Sequence, residues 1–172
     1  MNTASKSPFL IFAVGNESRG DDALGPLLLR AIGGLIESGS IPDQYELIED
    51  FQLQVEHVLD MDERQAVLFI DAGQQTPAPF HFYRAKPQIQ IGHSTHALAP
   101  EALLPVFEQV LGKAAPPAYV LCVRGDSFEL GAGLTPQAHD HYAAALAFVK
   151  RLLNQPADEA WDTASMHTDS LH

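Results

Sequence analysis

The sequence has one cysteine and no long apolar run. Cys122 has no partner for an internal disulfide, so an oxidising compartment is not implied. It lies in the strand-like AYVLCVRG, where we expect the thiol to pack rather than to act as a nucleophile. No apolar run reaches the roughly 18 residues of a membrane span, and the N-terminal MNTASKSP lacks the apolar centre of a signal peptide. We therefore expect a cytoplasmic protein.

Basic residues are also scarce. The 172 residues include 10 Lys and Arg against 22 Asp and Glu, a formal net charge of −12. This balance argues against a nucleic-acid partner, which needs a basic surface. With 46% hydrophobic residues, we expect one globular domain over residues 1–155. From residue 156 to 172 the composition shifts to Pro, Asp, Ser, Thr and His, so we expect a disordered tail in which Trp161 docks only transiently.

Several signatures of catalytic and binding sites are missing. Neither G-x-G-x-x-G nor G-x-x-x-x-G-K-S/T occurs, so we expect no nucleotide cofactor. The absence of G-x-S-x-G gives a serine hydrolase no support. Without H-E-x-x-H or C-x-x-C, a zinc protease or a structural zinc site is likewise unsupported.

A strand–loop–helix unit near the N-terminus is what the sequence does contain. The apolar residues 9–14 stop at Gly15-Asn16, and Asp21-Asp22 then open an apolar helical pattern. This order is typical of the first unit of a parallel α/β sheet. Either aspartate could cap the helix. Ligands of such sheets bind beyond the carboxyl ends of the strands, and acids there favour a cation or a substrate amide over a phosphate.

The remaining apolar patterns predict the order β-α-β-α-β-β-α-β-α. Strands are expected over roughly 8–14, 45–49, 66–70, 80–84 and 119–123, and helices over roughly 22–37, 100–112 and 136–153, with a loop and a helix in 50–65. The buried side of that second helix is expected to carry Val55, Val58, Leu59 and Met61. The link before the fourth strand is too short for a parallel crossover, so this strand should be antiparallel and at an edge. The fold class is thus a three-layer, doubly wound α/β domain with core strand order 2-1-3 and helices on both faces.

This topology places acids from two neighbouring strands at one edge of the sheet. We expect Asp71 to end the third strand and Asp21-Asp22 to lie just beyond the first. Singly, each could be a cap or a turn residue, but two carboxylates with a nearby imidazole are typical of a divalent-metal site. His93 and His96, in the loop after the fourth strand, could supply the imidazole. The other histidines are expected at structural, surface or tail positions: His57, His81, His139, His141, His167 and His172.

Four segments, in order, resemble motifs of the hydrogenase maturation endopeptidases. They are GNESRGDDALGP (15–26), FIDAG (69–73), HSTHALAP (93–100) and VRGDSFELGAGLTP (123–136). The segment DFQLQVEH (50–57) resembles the branch that serves cytoplasmic, multisubunit hydrogenases. One departure is Glu49-Asp50-Phe51-Gln52, where many members have a small-residue turn such as Gly-Gly-Thr. This departure affects what can be expected of the substrate pocket.

The resemblance implies a function and a set of site residues. These endopeptidases remove a C-terminal extension from the precursor of the nickel–iron hydrogenase large subunit. By resemblance, Asp22, Asp71 and His96 recognise nickel carried by the substrate, and His96 is selected over His93. The two aspartates are also the catalytic residues implied for an aspartyl-type endopeptidase, and one of them could activate water. A monomer is implied, with the large-subunit precursor as partner.

Two other functions stay open. A nickel-checking maturation chaperone would bind the large subunit through the same residues without cutting it, so the mass of the partner distinguishes the two. A small-molecule enzyme could use the same crevice, although the acidic loop and the missing phosphate motifs disfavour nucleotides.

Overall fold

A computed structural model describes residues 5–90, 98–155 and 157–169. In these residues one five-stranded sheet is formed by β1 (Phe9–Val14), β2 (Tyr45–Asp50), β3 (Ala66–Gly73), β4 (Phe80–Arg84) and β5 (Ala118–Arg124). The strand order is β2-β1-β3-β5-β4, and only β4 is antiparallel to its neighbour. The predicted core order and the antiparallel edge strand are both confirmed.

Helices cover both faces of this sheet. They are α1 (Leu24–Glu37), α2 (Val58–Met61), α3 (Pro100–Leu111), α4 (Pro136–Leu153) and α5 (Ala157–Asp169), with short 3-10 turns at Gly20–Ala23 and Val55–His57. Alternate residues of each strand point to opposite faces. On β1, Ile11 packs in the core with α1, α4 and α5, whereas Phe12 packs in the core with α2 and α3. Burial on both faces explains the nearly continuous apolar strands, and the doubly wound α/β class is confirmed.

The third strand is longer than predicted. Its pairing with β1 stops at Ile70, but its pairing with β5 continues through Asp71 to Gly73. The prediction that Asp71 ends this strand is therefore wrong, because the strand still has a partner on one side after it has lost the other. By this register Asp71 lies level with Val14, the last residue of β1, where the pairing of the two strands has ended and the sheet opens a crevice.

The second helix buries only part of the predicted set. Val58 and Met61 are buried, but Val55 is 49% exposed and Leu59 is 56% exposed. The segment begins as a 3-10 turn and continues as only four α-helical residues. Residues 58 and 61 are three apart and reach the core together, while 55 and 59 share another face.

The C-terminal segment is a helix over 157–169, so the prediction of a disordered tail is wrong there. Trp161 is fully buried, with its ring 5.7 Å from that of Phe9 and 5.5 Å from that of Tyr119. Asp162 accepts hydrogen bonds from the Tyr119 hydroxyl (2.5 Å) and from Arg84 (3.0 Å). A single large aromatic and an ion pair thus hold a helix whose average composition is polar. In the ranges that the structure describes, no helix combines the length and apolar character needed to cross a bilayer.

Candidate active site

The crevice lies where β1 has ended and β3 continues, and α1 begins directly beside it. Gly25, in the first turn of α1, touches both strands. A Cβ atom there would lie 2.5 Å from the carbonyl oxygen of Val14 and 3.1 Å from that of Ile70. Only glycine allows so close an approach, so this residue seats the start of α1 on the ends of the central strands. The same contact brings the acidic turn that precedes α1 over the crevice.

Asp22 is partly buried in that turn. Its Oδ2 accepts a hydrogen bond from the backbone N–H of Asn16 at 2.9 Å. Gly15 makes this possible, since it has φ of 153° and a Cβ there would lie 2.1 Å from the carbonyl oxygen of Asp22. Burial raises the pKa of the Asp22 carboxyl, although the hydrogen bond from Asn16 and the charge of Arg19 oppose the rise. Among the described residues, the hydrogen bond that the Asp22 carboxyl group accepts thus comes from Asn16.

Asp71 lies in the same crevice. Burial raises its pKa to about 7, and the negative charge of Asp22 adds to the rise, while a 2.7 Å hydrogen bond from the N–H of Ala72 opposes it. The structure thus brings Asp22 close enough to Asp71 for its charge to raise the pKa of the Asp71 carboxyl. Near neutral pH, Asp71 can hold or release a proton. A carboxyl pair with such different surroundings can take complementary acid and base roles.

The neighbouring Asp21 has a different environment. It is fully buried, and its carboxylate accepts four hydrogen bonds, from the backbone N–H groups of Asp126, Ser127 and Thr135 and from the Thr135 hydroxyl, at 2.8 to 3.1 Å. Burial alone would raise the pKa of Asp21, but these donors together lower it below its usual value. With its oxygens occupied, Asp21 is a structural anchor for the 125–135 loop. Its role was missed in the sequence.

Backbone contacts complete the junction between the 15–20 loop and the 125–135 loop. Gly20 donates to the carbonyl oxygen of Ala132 (3.1 Å), and Gly131 donates to that of Ser18 (2.7 Å). The prediction that an aspartate caps the first helix is wrong, because both carboxylates are directed to other donors. No signal in the sequence separates the two acids, because the donors to Asp21 lie more than 100 residues further along the chain.

The side chains beside Asp71 are largely uncharged at neutral pH. Cys122 pairs with Asp71 across β3 and β5, and its Sγ lies 2.9 Å from Thr76 Oγ1. Burial raises the pKa of this thiol, and the charge of Asp71 adds to the effect. A thiol so held is a poor nucleophile, in line with the expected packing role. Tyr83 donates to Glu101 at 2.7 Å, and burial likewise raises the pKa of its hydroxyl.

The predicted imidazole ligand, His96, lies outside the described residues, as does the alternative His93. In the described part of the chain, no group of three or more His, Cys, Asp or Glu side chains is arranged to hold a metal ion. The two carboxylates, Asp22 and Asp71, are the described portion of the predicted site. His57, expected at a structural or surface position, is buried behind β2.

A cavity of about 430 Å³ adjoins the crevice. It is lined by the loop after β1, including Asn16 and Glu17, and by the end of β2, including Asp50 and Phe51. Asn16 therefore joins the two spaces, because its side of the loop lines the cavity while its N–H holds Asp22. Glu17 forms a two-pronged ion pair with Arg30, which lowers the pKa of the Glu17 carboxyl.

No protein-family model and no curated protein sequence matches this chain. Solved structures do. The NiFe hydrogenase maturation protease HycI from Thermococcus kodakarensis has 18% identity and a TM-score of 0.66, with 88% of this chain and 96% of that chain covered. The hydrogenase maturating endopeptidase HybD from E. coli has 22% identity and a TM-score of 0.60, with 82% and 88% covered.

A structure of the hydrogenase 3 maturation protease gives a TM-score of 0.61 at 16% identity, over 89% of this chain and 92% of that chain. At such identities the likeness concerns the course of the backbone. The chain has the fold of the hydrogenase maturation proteases.

Proposed function

We propose that this protein is a hydrogenase maturation endopeptidase, a hydrolase that removes the C-terminal extension of a nickel-loaded hydrogenase large-subunit precursor in one cut. The observation that carries the proposal is the Asp22–Asp71 carboxylate pair, set at the opening between β1 and β3 in a chain with the fold of such proteases. The segments that resemble the family's motifs support it, since 15–26 and 123–136 are joined at this crevice by Asp21.

The two carboxyl groups can share the proton transfers of amide hydrolysis. One carboxylate accepts a proton from a water molecule as the water oxygen attacks the scissile carbonyl carbon. The other carboxyl, or the same group once protonated, gives a proton to the departing amide nitrogen as the C–N bond breaks. Before the precursor and its nickel arrive, the raised pKa of Asp71, about 7, lets this carboxyl group hold a proton at neutral pH.

Nickel enters this scheme as cargo of the substrate. Asp22 and Asp71 would contact the ion in the incoming precursor, together with His96 from outside the described residues, and so place the scissile bond. A cation beside the pair would favour their ionised forms, so arrival of a nickel-loaded precursor would also change their protonation. The aspartyl-type chemistry, the monomeric state and the cytoplasm as compartment stay predictions from the sequence.

The test is the mass of a nickel-loaded large-subunit precursor before and after incubation with this protein. We expect one C-terminal truncation with the wild type and none with Asp22→Asn, which keeps an oxygen acceptor for the Asn16 N–H. We also expect no cut when the precursor is prepared without nickel. A stable complex with no loss of precursor mass would overturn the endopeptidase and favour the maturation chaperone. Truncation by Asp22→Asn at the wild-type rate would show that Asp22 is not a catalytic residue.

A further inference from the structure

The segment after β2 combines an exposed apolar surface with an acidic cavity. Phe51 is 72% exposed and lines the cavity, and Val55 and Leu59 present the exposed face of the short helix that follows. Single exposed apolar residues are ordinary, but three in one short segment next to a cavity are typical of an interaction surface. We call Phe51, Val55, Leu59 and the cavity lined by Asp50 the β2 surface.

The charge of this cavity favours a cationic group. Glu17 and Glu49 both lie near Arg30, at ion-pair distance in the case of Glu17 and at 3.8 Å for Glu49. Among the described residues, the side-chain partner of Asp50 is His57, whose Nε2 lies 3.2 Å from Oδ2 of Asp50. The Nδ1 of His57 accepts a hydrogen bond from the Gln54 N–H (2.8 Å), which leaves Nε2 as the ring nitrogen that donates to Asp50. Asp50 thus places its carboxyl group at the cavity wall, with no Lys or Arg paired to it among the described residues.

The loop that carries Phe51 is held at both ends by one buried side chain. His57 is 8% exposed and lies edge-on to Phe12, with ring centroids 4.6 Å apart. It binds Asp50 before the loop and Gln54 after it. Asp50 also accepts the N–H of Phe51 on Oδ1 (2.6 Å), and its carbonyl oxygen accepts the N–H of Gly15 (3.2 Å). An exposed aromatic on so fixed a loop is pre-organised for binding.

We propose that the β2 surface docks a segment of the precursor in which a cationic side chain enters the cavity beside Asp50 and a neighbouring apolar side chain packs on Phe51. The inference rests on the proposed function for the identity of the partner. The surface is continuous with the carboxylate pair through Asn16, which lines the cavity and holds Asp22. His57 is a positioning residue, since it acts through Asp50 and the loop.

The experiment measures both binding and cleavage of the nickel-loaded precursor at increasing precursor concentration. Phe51→Ser should raise KM and the dissociation constant about tenfold, the usual effect of removing an aromatic anchor, with kcat within about twofold. Met166→Ser is the matched control, because Met166 is 70% exposed but lies on α5. It should change neither constant.

The charge of the cavity has its own test. Asp50→Asn should weaken precursor binding about fivefold at low salt and less at high salt, because screening removes the attraction in the wild type. Glu37→Gln, an exposed acid at the end of α1, is the control and should leave binding unchanged. Circular dichroism on each variant shows that it is folded.

The possible results separate this inference from the proposed function. If the wild type cuts the precursor and Phe51→Ser has wild-type KM and affinity, the docking surface is overturned while the endopeptidase stands. Should the wild type bind without cutting, the endopeptidase fails, and the docking surface stands if Phe51→Ser weakens that binding. Absence of both binding and cleavage overturns both. If the wild type is a dimer and Phe51→Ser is a monomer, the β2 surface is a contact between two copies of the chain, and precursor docking is overturned.

Discussion

Asp21 and Asp22 are adjacent in the chain and have opposite environments. Asp21 is fully buried and accepts four hydrogen bonds, whereas the described hydrogen bond to the Asp22 carboxylate comes from one donor, Asn16. The pKa of Asp21 is lowered and that of Asp22 is raised. The difference shows that four donors outweigh burial at Asp21, which anchors the loop, whereas burial prevails at Asp22, which stays available for chemistry.

The largest expected effect is on catalysis by Asp22. Asp22→Asn should lower the rate of precursor truncation about 1000-fold, the scale of losing a general acid or base. Its free energy of unfolding should not fall, because the amide oxygen can still accept the Asn16 N–H and the charge that is removed is one that burial disfavours. Single-turnover mass spectrometry and urea denaturation measure the two quantities. A large loss of stability would mean that Asp22 is structural like Asp21.

Asp21 should show the reverse pattern. Asp21→Ala leaves three backbone N–H groups without their acceptor, so we expect it to lower the free energy of unfolding at pH 7 by about 3 kcal/mol. The lowered pKa means that this stabilisation is present above the unfolded pKa and is lost as pH falls through the folded value. Urea denaturation at pH 7 and near pH 3 should therefore give a smaller difference from wild type in acid. An equal loss at both values would contradict the charge-based anchor.

Asp71 provides a test through pH-dependent stability. Its folded pKa of about 7 lies above the ordinary aspartate value of 3.8, so the wild type loses stability as pH rises from about 4 through 7. Asp71→Asn removes this titration. In metal-free protein, the variant should gain about 2 to 4 kcal/mol over wild type between pH 4.5 and 8, by 1.36 kcal/mol for each pKa unit with allowance for partial hydration. A pH-independent difference would show that Asp71 ionises normally.

The smallest expected effect on stability is at Thr135, which is one of the hydrogen-bond donors to Asp21. Its hydroxyl donates to Asp21 (2.8 Å) and accepts the Ala138 N–H at the start of α4 (3.2 Å). Thr135→Ala should lower the free energy of unfolding by about 1 kcal/mol, the scale of one helix cap. Thr163→Ala, at an exposed position on α5, is the control and should change it little. If Thr135→Ala is as harmful as Asp21→Ala, the backbone donors contribute little.

The sequence predicts the frame of the fold because each rule involves neighbouring residues. Apolar runs predict the strands, and the short link before Phe80 predicts the antiparallel edge. The crevice follows from the order of β1 and β3, so the meeting of Asp22 with Asp71 could also be predicted.

Other features depend on distant contacts and could not be predicted. The donors that distinguish Asp21 from Asp22 lie more than 100 residues further along the chain. The helix at 157–169 depends on the packing of Trp161 against Phe9 and Tyr119. The average composition of the segment does not predict this contact. Leu59 is exposed because it lies on a different face of the short α2 from the buried Val58 and Met61.

The most direct measurement compares the truncation rates of nickel-loaded precursor by Asp21→Asn and Asp22→Asn, each divided by its folded fraction from circular dichroism. Our account predicts that folded Asp21→Asn stays within about tenfold of wild type, whereas Asp22→Asn falls about 1000-fold. A folded Asp21→Asn without activity beside an active Asp22→Asn would contradict the division between the anchoring and the reacting acid.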